Sequence, residues 1–553
     1  MTEFSDIKEE FLRGWASYNP TSAFSAGRRE YAGLVPDNRK AVGEAYKEFL
    51  KIKLEELKLV DLKNLNSDEK MDYYLLENKI DADLFMIDEM KSDSENPLTY
   101  TDAAFIFDYL MKSYAPLDQR MRELVVYLNQ LPDYYDIAID NLDVEKIDKE
   151  NASMAISMMK GMIQFFENLE DECKFFETEE EKIAKKTLEQ LIESKGLALA
   201  AFNKYLKFIE DNLDNFKASF RLGKQRYADM LRRVERVDIP IEKILEAGMK
   251  NLEHNYSEFI KAAKQIDQNR DPINILDEIK KDHPATENMV KETQAMLEDI
   301  KLFLKKSKFV SVPSEVMPTV IFTPKPFREW AFAAMDSPGA LEKRATESYY
   351  YVTPPNEKWT KEEQEEWLQM FNYNELIDIS VHEVFPGHYL HHLHNQRSSS
   401  LMAKLFGAYH FWEGYALYVE EAMYQYGFHK DDPKYRMMQL IETLIRNVRL
   451  ICSIRFHTEE KFNVEEATQL FMDKCFMGKK PSESEAKRGT YDWGYLNYAL
   501  GKLMIEKLKE DYKKEKGSNY SELEFHDTLL SFGAPPIPIL RKFMLENDSG
   551  EIL

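Results

Sequence analysis

The first 306 residues repeat their apolar side chains at the helical period in one segment after another, which commits more than half of the chain to α-helix. Val42–Leu57 shows the pattern: Ala45, Phe49, Ile52 and Leu57 share roughly one side, and Glu/Lys pairs occupy the others. The same reasoning predicts helices over Ser67–Lys91, Leu117–Asn129, Asn151–Leu169, Glu180–Asn212, Ile241–Gln265 and Glu287–Lys306. Breaks are expected at Ser94–Pro97, Leu131–Asp133 and Arg270–Pro272, where turn residues interrupt the period. No fixed-period repeat is present, and the methionines and aromatics of these helices read as core packing.

Residues 307–359 break the pattern. They hold seven of the 21 prolines, and the runs Phe309–Val312, Thr319–Thr323 and Ser348–Thr353 have strand character. Proline cannot donate to a sheet ladder, so these runs are expected at edges or in irregular connections. Thr360–Glu363 is a capping box, Asn372–Glu375 is a similar start signal, and from there the chain reads as helix again. Further breaks fall near Pro433, Pro481 and Ala534–Pro536. The expected fold is mainly α with a small β-patch: a helical N-terminal part over 1–306 and a second part over 307–553, together one continuous compact unit.

The chain of 553 residues is 44% hydrophobic and 31% charged, ordinary for a globular protein. It has no run of about 18 apolar residues, so no membrane partner is expected. The N-terminus shows neither a basic n-region nor an apolar h-region. Cys173, Cys452 and Cys475 are far apart and form no metal or redox pattern. Cytoplasmic placement with reduced, buried cysteines is the resulting expectation. The net charge of −24 lacks the basic footprint of a nucleic-acid binder and reads as a solubilising surface.

The chemistry concentrates in thirteen residues. His382, His388, His391, His392 and His394 are five of the eleven histidines, and Glu383 directly follows the first. Paired histidines on a helix hold a metal ion, and an adjacent glutamate can take a proton from water held there. The usual ligand spacing is four residues. Here His382 and His388 are six apart, about 600° around a helix and so about 120° off a shared face. Pro386 and Gly387 lie between them. Proline cannot donate to the carbonyl four residues back and pushes the preceding residue out of the α region, while glycine reaches conformations closed to others. The helix must therefore kink or bulge between Phe385 and Gly387, which can bring His388 beside His382. His388 with His392 is the competing pair at regular spacing, but it strands Glu383.

A tetrahedral zinc site with an open position needs a third protein ligand. Glu413, Glu420 and Glu421 sit on an otherwise apolar, aromatic helix, where a carboxylate must be paired or bound. Glu413 and Glu420, seven apart, share a face, and spacing does not choose between them. In such an enzyme an edge strand beside the helix can hold an extended peptide, and Tyr349–Thr353 is the candidate.

The stretch His382-Glu-Val-Phe-Pro-Gly-His388, followed by Phe411-Trp-Glu-Gly-Tyr-Ala-Leu-Tyr-Val-Glu420, resembles the signature of domain-of-unknown-function family 885. That family is grouped with the gluzincin-type zinc metallopeptidases. Its pattern is His-Glu-x-x-Pro-Gly-His, then Glu-Gly-Trp-Ala-Leu-Tyr, and here Tyr415 replaces the Trp. Asn19–Gly27 and Leu34–Asp37 are similar to the family's opening, so the resemblance spans the chain.

The resemblance implies a zincin-like core, with His382, His388 and Glu413 as zinc ligands and Glu383 as general base. Glu420 and His410 become candidates to orient a ligand. His391, His392 and His394 are not implied as ligands. Members also carry a late Arg, a Pro-Gly-Gln stretch and Tyr-x-x-Gly. Arg488 and Tyr498–Gly501 fit, whereas Asp492-Trp-Gly494 departs. Tyr498 or Arg488 would then donate to the oxyanion of a tetrahedral intermediate. Arg488 has two other readings, a structural ion pair or a partner for a substrate carboxylate. The expected function is zinc-dependent hydrolysis of peptide bonds, with short peptides as substrates. Hydrolysis of a non-peptide amide conjugate and a catalytically silent metal-binding scaffold are the alternatives. Oligomeric state is not legible.

Overall fold

The computed structural model describes residues 3–101, 106–324, 328 and 332–553. It is mainly helical with one three-stranded sheet among the described residues. The chain divides into two compact units, one of residues 1–222 with 338–346 and one of residues 223–337 with 347–553.

The first unit follows the periodicity closely, with helices at Lys40–Lys58, Ser67–Phe85, Leu117–Leu128, Lys149–Glu167 and Lys185–Asn212. Leu131–Asp133 opens a further helix, Leu131–Asn141, because Pro132 occupies its first turn, where its missing N–H costs nothing. The core gathers Tyr100, Tyr109, Leu124, Ile147, Phe166, Phe202 and Tyr205. Residues 338–346 are clasped into this unit. Buried Glu342 pairs with Arg29 and accepts the amides of Lys343 and Arg344 at 2.8 Å each. Leu341 donates its amide to Ala26 at 2.7 Å.

The composition shift at residue 307 coincides with the end of the helix Thr286–Ser307, but the packing boundary lies at 222/223. The reason is visible in the contacts of the second unit. Ile241–Ile266 packs on Pro433–Thr458, and Thr286–Ser307 packs on Tyr373–Glu383 and the sheet. Two helices of one expected part thus complete the core of the other.

The strands are β1 (Thr319–Phe322), β2 (Ala333–Asp336) and β3 (Tyr349–Val352). β3 is central, parallel to β1 and antiparallel to β2, with Met335 opposite Tyr350. The candidate peptide-holding edge at Tyr349–Thr353 is therefore corrected: β3 is flanked on both sides, and β2 is an edge. Phe309–Val312 forms no strand. Side chains take its backbone groups instead: Asp527 accepts the Ser311 amide at 2.8 Å, His526 contacts the Phe309 carbonyl at 3.0 Å and His394 the Ser311 carbonyl at 2.9 Å.

Helix Tyr409–Gln425 lies against helix Asn497–Lys516 at a glycine-on-glycine crossing. A Cβ on Gly414 would come within 2.5 Å of Gly501 Cα, and one on Gly501 would strike the His410 carbonyl. Gly501→Ala is expected to cost about 3 kcal/mol or more in denaturant unfolding, since two backbones would have to separate. A cost under about 1 kcal/mol would mean the crossing yields freely.

Cys173, Cys452 and Cys475 are free and buried. No helix among the described residues is long and apolar enough to cross a membrane.

Candidate metal centre

Helix Tyr373–Glu383 begins with Asn372 accepting the Glu375 amide at 3.1 Å and ends at Glu383. A new helix, His388–Asn395, starts after a turn containing the cis Phe385–Pro386 bond. The interruption is thus a full break. Gly387 is required in it: a Cβ there would strike the His382 carbonyl. Its amide donates to the Val381 carbonyl at 3.0 Å, folding the turn back on the first helix.

The break brings the two imidazoles together at 4.9 Å between ring centroids, nearly perpendicular. Glu413, from the next long helix, presents Oε2 to both: 3.6 Å from His382 Nε2 and 3.6 Å from His388 Nε2. The three donor atoms lie within 4.8 Å of one another, and among the described residues this is the one group of His, Cys, Asp or Glu so arranged. Two nitrogens and one oxygen converging on a point suit a zinc-sized divalent cation and leave one side open. Burial opposes charge at Glu413, yet both imidazoles hold its carboxyl well below the usual range. His382 behaves in the complementary way: burial favours the neutral ring, but Glu413 and Glu420 raise it well above the usual value.

Glu420 receives His382 Nδ1 at 2.6 Å, which orients the ring and aims Nε2 at the cluster. Behind it, burial pushes Asp378 far up and Glu375 to about 8, and Tyr435 donates to Asp378 at 3.1 Å. Glu421 points elsewhere, to Arg436. His410 is occupied by Glu235 at 2.6 Å and by the Ile537 amide at 2.9 Å, so it orients no ligand. His391 meets the Gly533 carbonyl at 3.1 Å, and burial lowers it to about 3. His391, His392 and His394 all stay outside the cluster.

Glu383, half-buried beside its neighbour His382, accepts the Met335 backbone amide at 3.0 Å from Oε2. Strand β2 thus runs alongside the carboxylate, a contact that its sequence Ala-Ala-Met-Asp did not advertise.

The Gly414–Gly501 crossing sets the remaining geometry. Glu413 precedes Gly414, and Tyr498 lies one turn before Gly501 on the facing helix. Tyr409, one turn before Glu413, packs on Tyr498 at 5.9 Å between centroids. Arg488 donates from Nε to Asp492 at 2.9 Å and from Nη2 to the Tyr409 hydroxyl at 3.4 Å. Its guanidinium lies 5.8 Å from the Tyr498 ring, as does Arg446 at 5.9 Å. Burial, then Tyr498 and Asp492, push the Tyr409 hydroxyl well up, so it remains a protonated donor. Sequence reasoning missed Tyr409, Arg446 and Met335. A tyrosine one helical turn from Glu413 was the only available signal.

The family model described as "Bacterial protein of unknown function (DUF885)" matches residues 20–544. No curated protein matches the chain. Two solved structures share the fold. A "putative lipoprotein of unknown function" from Shewanella oneidensis is 23% identical with a TM-score of 0.83, covering 99% of this chain and 100% of that one. A "putative lipoprotein" from Colwellia psychrerythraea is 15% identical with a TM-score of 0.81, covering 98% and 97%.

Proposed function

We propose that this chain, which belongs to the DUF885 family, is a zinc-dependent hydrolase that cleaves peptide bonds of short peptides. The convergence of His382, His388 and Glu413 beside Glu383 carries the proposal. A zinc ion held by these three residues would polarise the scissile carbonyl and acidify a water. A structural zinc site is normally closed by four protein ligands, whereas this cluster offers three and has the Glu383 carboxylate beside it outside the ligand set. That arrangement favours catalysis over a silent scaffold and supports reading the core as zincin-like.

Each residue then has one task. Glu420 fixes the His382 ring, while the Met335 amide fixes the Glu383 carboxylate. Glu383 takes a proton from the attacking water and delivers it to the leaving amine nitrogen. The Tyr498 hydroxyl, on the wall facing Glu413, donates to the developing oxyanion. The outer edge of β2 lies next to Glu383 and offers backbone groups to an extended substrate.

The test is cleavage of a mixed short-peptide library by zinc-supplemented protein, read by mass spectrometry, with bound metal counted in the same sample. Cleavage that stops after chelation and returns with zinc is expected. A zinc-loaded protein that cuts no peptide would overturn the peptidase assignment, and a parallel screen of non-peptide amides would show whether the bond class alone is wrong.

A further inference from the structure

The wall beyond Glu413 is built from donors. Tyr409 and Tyr498 are both half-buried, and neither hydroxyl proton has an acceptor among the described residues. Between them sits Arg488, whose only paired carboxylate among the described residues is Asp492. Asp492 takes Nε and Nη2, and no acid pairs with Nη1. Arg446 and Arg449 add two more guanidinium groups over the Tyr498 ring, at 5.9 and 5.2 Å; they pair with Glu442 and Glu485, and the buried Nε of Arg446 has no acceptor among the described residues. Arg488 also hydrogen-bonds Tyr498, and in a chain of net charge −24 a guanidinium and two phenols with a single paired carboxylate among them form a site for an anion.

The location says which anion. Tyr409 stands one turn before Glu413 on the same helix, about 6 Å along it. Arg488 reaches the Tyr409 hydroxyl at 3.4 Å from a third helix, Lys479–Tyr491. A charge at that remove from the cluster is not the oxyanion, which must form at the scissile carbonyl. It is a group fixed one or two residues away along the substrate. A guanidinium is permanently charged and suits a partner charged before, during and after reaction, and a neighbouring phenol can donate a further hydrogen bond to it.

We infer that Arg488 and Tyr409 bind the free C-terminal carboxylate of the peptide, which makes the protein an exopeptidase that cuts within one or two residues of the C-terminus. This rests on the hydrolase reading for the cut and on Arg488 and Tyr409 for the anchor, and the two can be tested apart.

One short-peptide library is made twice, as C-terminal acids and as C-terminal amides. Binding to zinc-supplemented Glu383→Gln protein is measured by equilibrium dialysis, and cleavage is measured with the wild type. The acids are expected to bind at least tenfold more tightly and to be cut at least a hundredfold faster in kcat/KM. Arg488→Gln should erase the acid–amide difference and raise KM with kcat nearly held. Arg488→Lys should restore part of it, and Tyr409→Phe should reduce it in a protein that keeps its fold. Equal binding of both libraries, or binding of neither, overturns the anchor. Acids bound selectively yet left uncut would keep the anchor and remove the hydrolase.

Discussion

Glu383→Gln is expected to lower kcat at least about a thousandfold while the zinc content of the protein stays unchanged. The substitution is chosen because it spares the geometry. Glutamine matches glutamate in length, and its amide oxygen can still accept the Met335 amide that holds Glu383 in place at 3.0 Å. The ligand set does not include Glu383, so the ion should remain. What disappears is the ability to accept a proton. A positioned general base contributes about 10²- to 10⁴-fold, and here one carboxylate serves both water deprotonation and amine protonation. kcat and kcat/KM should fall together, because the lost interaction exists only in the transition state. Retained activity within about tenfold of wild type would place the base elsewhere. Loss of metal together with activity would make Glu383 a structural partner of the cluster.

What was legible in the sequence divides by the range of the forces involved. Helix spans came through to within a few residues where an apolar stripe ran unbroken, as in Lys40–Lys58 and Ile241–Ile266. The reading failed where long-range pairing decided the outcome. Tyr349–Val352 has strand character by composition, but whether it is edge or centre depends on β1 and β2, which lie 30 and 16 residues before it by first residue. Ala333–Asp336 has little β-propensity and becomes a strand because β3 offers it a partner. Phe309–Val312 has the propensity, but its backbone groups are taken up in hydrogen bonds with Asp527, His526 and His394.

The candidate site divides the same way. Pro386 and Gly387 required an interruption between His382 and His388, and the structure ends one helix and starts another there. The choice between Glu413 and Glu420 was not open to spacing, since both share a face. The fold separates them by depth: Glu413 reaches both Nε2 atoms, while Glu420 stops at His382 Nδ1. Tyr409 and Tyr498 meet because Gly414 and Gly501, 87 residues apart in the chain, let their two helices touch.

His388→Ala is expected to abolish the stabilisation that zinc confers on the wild type. Ligand that binds only the folded state stabilises it by about 4 kcal/mol at a thousandfold excess over Kd, which for a unit of this size raises Tm by several degrees. Without His388 the cluster keeps one nitrogen and one carboxylate oxygen. Two donors hold zinc far more weakly than three, and affinity should fall at least about a hundredfold. The apo variant itself should be little changed in stability, because His388 is 21% exposed and the adjacent turn is held by backbone bonds and Gly387. The control is His391→Asn, in the same histidine-rich helix. His391 is buried and turned toward the Gly533 carbonyl, so this variant should melt lower overall but keep the zinc-induced rise. A histidine-rich helix that collects metal without a defined centre predicts otherwise: both variants would lose the same small part of the shift. Differential scanning calorimetry with and without zinc, run beside metal counting, separates a built three-donor centre from adventitious binding.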